Sequence, residues 1–221
     1  HGWILSDKKK MSKSRGNILD PMEIIKTYGI DELRYYLMKE VPHGSDGSVS
    51  LENLESCINS DLANNYGNLC QRVFSFIKNN CNNTVTKTKD LSESDSQIIE
   101  QTKTLTRDLR DTMNNQNLNG YIKSVINISF LTNKFINDEE PWQLKKTDIN
   151  KMNNILHIAL EQIAKISILL NPIIPNASAK VLDALNINTE LRNFSFLGGK
   201  NIITDEIKIK ELDILFKKIV K

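Results

Sequence analysis

The chain has 221 residues, 39% hydrophobic, 25% charged and 6% aromatic, enough apolar matter for a core, which excludes a disordered or collagen-like polymer. With 29 Lys and Arg against 27 Asp and Glu, a net charge of +2 does not advertise nucleic-acid binding, so any polyanion has to be met at a local patch. Cys57, Cys70 and Cys81 form no Cys-x-x-Cys pair, and neither a bilayer-length apolar run nor a targeting segment is present, so the expectation is a soluble cytoplasmic protein with no disulfide framework, metal site or membrane partner.

The chain starts at His1 and not at Met, directly before an apolar run, and a piece of a longer protein is expected. Residues 3–5 suit a short strand, and the polar, basic stretch from Ser6 to Leu19 cannot be core. Asp20-Pro21-Met22-Glu23 predicts a helix start. Asp20 is the N-cap, Pro21 takes the first helical position, where no N–H is needed, and Glu23 stands where a capping box places its acid. Gly29 is expected to end that helix and Asp31 to open a second one to about Lys39, with Ile30, Leu33, Tyr36 and Leu37 on one face. Residues 41–49 (VPHGSDGSV) read as a turn-rich break between a small N-terminal piece and the rest of the chain.

From Ser50, Leu51, Leu54, Ile58, Leu62, Leu69, Val73 and Ile77 recur at spacings that predict one long amphipathic helix to about Lys78. Further helices are expected at about 95–113, 118–136 and 149–170, and a shorter one capped by Asn176 to about Leu185, together a bundle of four to five helices. Residues 205–221 stay ambiguous between helix and strand.

Lys8, Lys9, Lys10, Lys13 and Arg15 fall within eight residues, among Ser12, Ser14 and Gly16. By composition alone this fits a solvated basic turn as well as a loop that folds over a polyphosphate. The residue order is more specific: Lys10-Met11-Ser12-Lys13-Ser14 matches the KMSKS signature of class I aminoacyl-tRNA synthetases, with a strand before it and Gly16-Asn17, then Asp20-Pro21, after it. The resemblance implies ATP bound by Lys10, Met11, Ser12, Lys13 and Ser14. Lys13 would be the main stabiliser of the adenylation transition state, Lys10 its support, and Met11 an anchor that packs.

Arg15, where the isoleucine, valine and cysteine enzymes usually carry Leu, resembles the methionyl-tRNA synthetase family. So do Asp31-Glu-Leu-Arg-Tyr-Tyr-Leu37, the segment from Asn59 to Leu69 (NSDLANNYGNL) and the segment from Asn133 to Trp142 (NKFINDEEPW), in family order over about residues 1–185. The resemblance implies a mainly α fold in three parts. Residues 1–45 would hold the KMSKS loop and two connecting helices, 46–190 a helical anticodon-binding domain, and 191–221 a tail packing back on the N-terminal part. Family members often close with a Leu-Phe-Pro-Arg-Ile-like strand, from which Leu215-Phe216-Lys217-Lys218-Ile219 departs.

Asn64, Asn68 and Arg72, four apart, line one stripe of the long helix, and their carboxamides and guanidinium suit the edges of unstacked bases. Gly67 in mid-helix suggests that something approaches closely there. Trp142 after Pro141 offers either a stacking platform or a plug for the bundle's end. By residue type alone each of these fits an ordinary wet face or core as well. The resemblance implies that Asn64, Asn68, Arg72 and Trp142 read the anticodon CAU of tRNA(Met), with the indole on its first base.

His1, His43 and His157 are too scattered for the His-x-Gly-His motif of such enzymes, so methionine activation with ATP and Mg2+ is expected only of a full enzyme and not of these residues alone. His157 is expected to be packed or at a rim, the cysteines inert, and Glu139-Glu140 a helix-terminal charge pair. Two other readings stay open: a free-standing RNA-gripping module with a relic loop, and a helical domain that serves only assembly.

Overall fold

The computed structural model describes residues 2–6, 9–11, 19–88, 90–197 and 202–220. Strand β1 (Ile4–Ser6) lies between β2 (Lys9–Lys10), antiparallel, and β3 (Gly47–Val49), parallel, with Leu5 opposite both Lys10 and Ser48. The stretch read as a break therefore closes onto the start of the chain. The Trp3 N–H donates to the Asp46 carboxylate at 2.7 Å and the Gly47 N–H to the Trp3 carbonyl at 2.9 Å. A Cβ on Gly2 would stand 2.1 Å from the Ser45 carbonyl carbon, so only glycine fits there.

Helix α1 (Pro21–Tyr28) is capped as the sequence predicts, the Asp20 carboxylate accepting the Met22 N–H at 2.8 Å. Gly29, at φ +119°, separates it from α2 (Ile30–Glu40), which buries Leu33, Tyr35 and Tyr36 but leaves Ile30 exposed.

The predicted long helix is a continuous rod with a different winding at its centre. It runs as α3 (Leu51–Cys57), a π-helical segment over Ile58–Gly67, and α4 (Asn68–Asn80). The spacing of its seam explains the change. Leu54, Ile58, Leu62 and Tyr66 are buried at strict intervals of four. Four residues overshoot a 3.6-residue turn by about 40°, so such a seam would drift around an α-helix, whereas a turn closing on the i−5 carbonyl is wide enough to hold it on one face. Gly67 is part of that widening: a Cβ there would lie 2.7 Å from the Leu62 carbonyl oxygen. The close approach expected at Gly67 is the rod's own backbone, and Gly67 is buried.

Around the rod stand α5 (Glu93–Asn114), opened by a Ser92/Asp95 capping box, α6 (Leu118–Glu139), the single turn α7 (Pro141–Leu144), α8 (Ile149–Leu170) and α9 (Pro175–Ala184). Helix α8 is not amphipathic as its period suggests. Sixteen of its 22 residues are buried, which makes it the central helix of the bundle. Two of its buried polar members are satisfied internally: Ser167 Oγ lies 2.7 Å from the Tyr66 hydroxyl, and Asn154 holds the Thr88 N–H and the Asp90 carbonyl, each at 2.7 Å.

Helix α9 corrects the predicted Asn176 cap. Pro175 opens the helix, Ile174 precedes it without a side-chain cap, and the cap comes from α2. Asp31 accepts the Ala177 N–H at 2.8 Å and the Asn176 amide at 3.2 Å. One turn on, Arg34 donates to the Pro172 and Ile173 carbonyls at 2.7 and 2.9 Å. An acid at the start of α9 and a cation beyond the end of α8 complement both helix dipoles from one neighbouring helix.

The tail resolves into β5 (Glu206–Lys208), antiparallel to β4 (Thr84–Thr86) with Ile207 opposite Val85, followed by an irregular run. That run rests on the rod. Phe216 is buried with its ring 6.4 Å from that of Tyr66, and Ile219 exchanges two hydrogen bonds with the Asn59 side chain at 2.8 and 3.0 Å.

Candidate nucleic-acid interface

The rod and α6 enclose an open cleft of about 780 Å3. Asn64, Asn68 and Arg72 form one wall, as the sequence predicts for a single stripe, with Asn64 exposed and the other two half-buried. The opposite wall was not read as one from the sequence, although Asn133 and Asn137 fall in the family-like segment: Lys123, Asn127, Phe130, Asn133 and Asn137 project from α6. Their spacing by three and four was a legible signal, masked because α6 reads first as a core helix. Phe130 is 60% exposed, an unusual position for an aromatic ring on a bundle helix.

Asn65 fixes the distance between the walls. Its amide accepts from Ser129 Oγ at 2.9 Å and from the Asn133 amide at 3.1 Å, and donates to the Ile126 carbonyl at 3.4 Å. Asn133 uses its N–H groups there, and its carbonyl oxygen is buried behind the lining without a hydrogen-bond donor. The cleft is thus a rigid frame on which Asn64, Asn68 and Asn127 present carboxamides, a group that both donates and accepts as base edges require.

Trp142 stands at one end. Helix α6 stops at Glu139; Glu140, at φ 43°, turns the chain; and Pro141 starts α7, which leaves the indole 42% exposed. Arg72 donates to Asn137 Oδ1 at 2.8 Å, and its guanidinium carbon lies 5.7 Å from the centroid of the Trp142 ring. The structure thus brings Asn64, Asn68, Arg72 and Trp142 together along one face, with a flat aromatic surface next to a guanidinium fork.

At the other end Asp61 enters the lining, accepting from the Tyr35 hydroxyl and from Lys39 Nζ, each at 2.8 Å. Lys39 offsets the repulsion that this acid would exert on a polyanion. Lys39 Nζ also lies 3.8 Å from Cys57 Sγ, a lysine neighbour not visible in the sequence. Burial nevertheless pushes the Cys57 thiol up to about 12, which leaves it unreactive. Glu139 ends α6 and pairs with Lys151 at 2.9 Å.

Of the basic loop, Lys10 and Met11 are described; Lys8, Ser12, Lys13, Ser14, Arg15 and Asn17 lie outside the described residues. Lys10 Nζ sits 4.9 Å from the centroid of the Trp3 ring. Met11 packs into an apolar pocket with Ile4, Leu19, Ile24 and Leu54, which tethers the start of the loop. Among the described residues no group of three His, Cys, Asp or Glu is arranged to hold a metal, and no helix is long and apolar enough to cross a membrane.

Residues 1–74 match the family described as tRNA synthetases class I (M), and residues 85–221 the anticodon binding domain of methionyl tRNA ligase. Among curated proteins, the methionine–tRNA ligase of Brucella suis biovar 1 (strain 1330) is 38% identical over 88% of this chain and 38% of its own length. That of Rickettsia conorii (strain Malish 7) is 38% identical over 99% of the chain and 44% of its own length. Among solved structures, Mycobacterium tuberculosis methionyl-tRNA synthetase in complex with methionyl-adenylate superposes with a TM-score of 0.91 at 30% identity, covering 98% of this chain and 43% of that one. The chain therefore spans about two fifths of the length of these relatives.

Proposed function

Because the chain belongs to the methionyl-tRNA ligase family, we propose that it supplies tRNA selection and part of the ATP-handling loop to an enzyme that activates methionine and transfers it to tRNA(Met). In this reading the cleft between the rod and α6 reads the anticodon CAU, Asn64, Asn68 and Arg72 through base edges and Trp142 by stacking on the first base. The observation that carries it is the convergence of Asn64, Asn68 and Arg72 on one cleft, with the half-exposed Trp142 ring set against the Arg72 guanidinium at its end. The reading assigns residues 1–45 to the ATP side, 46–190 to the anticodon side and 191–221 to a closing tail, in the cytoplasm.

On the ATP side the resemblance assigns the phosphates to Lys10, Met11, Ser12, Lys13 and Ser14, with Lys13 as the principal cation, and Mg2+ arrives as the ATP complex. Support among the described residues is limited to Lys10 on its strand and the packed Met11. The sequence contains no His-x-Gly-His motif. ATP–pyrophosphate exchange by the 221-residue chain alone, with methionine, is therefore expected to stay at background, and exchange above background would overturn that part of the reading.

The deciding experiment is fluorescence anisotropy of labelled CAU and GAU anticodon stem-loops at low and moderate salt. A base in direct contact is worth about 1–3 kcal/mol, so CAU should bind roughly ten- to a hundredfold tighter, and the ratio should survive added salt. Trp142→Ala and Arg72→Ala should each remove most of that ratio. Equal binding of both loops, abolished by salt, would mean contacts to phosphates only and would refute anticodon reading by these residues.

A further inference from the structure

The cleft is longer than one base on Trp142 requires. Lys123, Phe130 and Asn137 follow one another on α6 at intervals of seven residues, so they form a row along one face of the helix. At 1.5 Å per residue that row is about 21 Å long, whereas stacked nucleotides advance only about 3.4 Å each. The hydrogen bonds across the cleft give its register. Asn65 on the rod meets Ser129 and Asn133, and Arg72, seven residues further on, meets Asn137. The rod and α6 therefore run side by side in the same sense. Phe130 stands at the level of Asn64, and Arg72 with Trp142 lies about two turns further along.

The core does not account for Phe130. The buried residues of α6, among them Ile122, Val125, Ser129 and Ile136, belong to a different face, and the Phe130 ring is exposed. Hydrophobic burial gives no reason for an aromatic ring on a wall whose other exposed members are polar. An unstacked base supplies one, because it presents a flat apolar face together with an edge that donates and accepts. Phe130 offers the matching flat surface, and the exposed carboxamides of Asn64 and Asn127 offer the matching polar groups. Trp142 beside Arg72 has the same make-up at the end of the cleft.

We propose that Phe130 is a second stacking platform. It takes the face of another base of the single strand whose first anticodon base lies on Trp142, with Asn64 and Asn127 at that base's edge. The inference rests on the anticodon reading above and adds to it a second point that the strand has to reach. Lys123, exposed two turns beyond Phe130, puts a cation where the strand's phosphates pass the Asp61 end of the cleft.

The test is fluorescence anisotropy of the 221-residue chain with the CAU stem-loop and with a series of loops in which one nucleotide at a time is made abasic. Phe130→Ala should weaken the intact loop by about tenfold or more, and Phe130→Tyr, which keeps the ring, should bind as the wild type does. With one abasic loop, lacking a base other than the first anticodon base, Phe130→Ala should bind as tightly as the wild type. Trp142→Ala should show the same silence only with the loop that lacks the first anticodon base. Full affinity of Phe130→Ala for the intact loop, beside a weakened Trp142→Ala, would overturn the second platform and leave the anticodon reading standing. An equal loss with every abasic loop, a loss in Phe130→Tyr as large as in Phe130→Ala, or silence with the same loop as Trp142→Ala would also overturn it. Indifference of binding to Trp142→Ala and Phe130→Ala alike would overturn the anticodon reading and the second platform together.

Discussion

His157 takes its protonation state from its surroundings. It is buried on α8, and burial lowers its pKa below the ordinary 6.5, with the Thr204 carbonyl opposing that shift and Lys87 adding to it. The unfolded chain then takes up a proton at a higher pH than the folded one does. The stabilising effect of the neutral imidazole is complete above about pH 6.5 and is lost as pH falls through the folded-state pKa. Glu161, one turn on, is shifted up by burial and acts in the opposite sense: acidification through its own range favours the folded form. The Tm should fall from about pH 7.5 to about pH 5.5 more steeply for the wild type than for His157→Gln. Parallel slopes would show that His157 does not set this dependence. Arg72 is tuned by geometry instead: Asn137 and Trp142 hold its fork at the rim of the cleft before any ligand arrives, which lowers the entropic cost of using it.

The rod shows how an element departs from its apparent type. Gly67 looks like a weak point in a helix, and by propensity alone Gly67→Ala would add about 1 kcal/mol of stability. The π-helical turn reverses that expectation, because the new Cβ would meet the Leu62 carbonyl oxygen at 2.7 Å and backbone would have to move. Gly67→Ala should therefore destabilise by about 1–3 kcal/mol in denaturant titrations. A rise in stability would mean that the wide turn relaxes without cost to the α form. Helix α2 shows the complementary point. Residues of a short helix in the N-terminal segment, Asp31 and Arg34, complete the termini of α8 and α9, so those helices end correctly only when α2 is in place.

Across the molecule, the tail and α2 join parts that are far apart in sequence. Helix α2 caps the turn between α8 and α9, supports the Asp61 end of the cleft, and accepts a hydrogen bond from the Asn119 amide at the Lys39 carbonyl. The tail adds a strand to β4, lies over the rod, and seats Phe216 against Tyr66 and Gly67. Phe216→Ala should cost about 3–5 kcal/mol, the range for emptying a buried aromatic site, read as a shift in the denaturation midpoint at unchanged m-value. The CAU-to-GAU ratio of the folded fraction should be unchanged, since Phe216 does not line the cleft. A loss of discrimination without a loss of stability would instead place the tail in the reading site.

The helices and their approximate ends follow from local physics. Apolar spacing, the Asp20 cap before Pro21 and the stop at Pro172 each act within a few residues and need no distant partner. The same holds for one wall of the cleft, because Asn64, Asn68 and Arg72 share a stripe in any regular helix of that length. Pairings between distant segments do not follow from local physics. That Asp31 rather than Asn176 caps α9, that α8 is buried all round, that α6 supplies the second wall, and that the tail settles on the rod all depend on which surfaces meet. Those surfaces lie up to 160 residues apart, as Asn59 and Ile219 do. Spacing along a chain specifies which side chains share a face, but what that face meets is decided when hydrophobic burial brings the helices together.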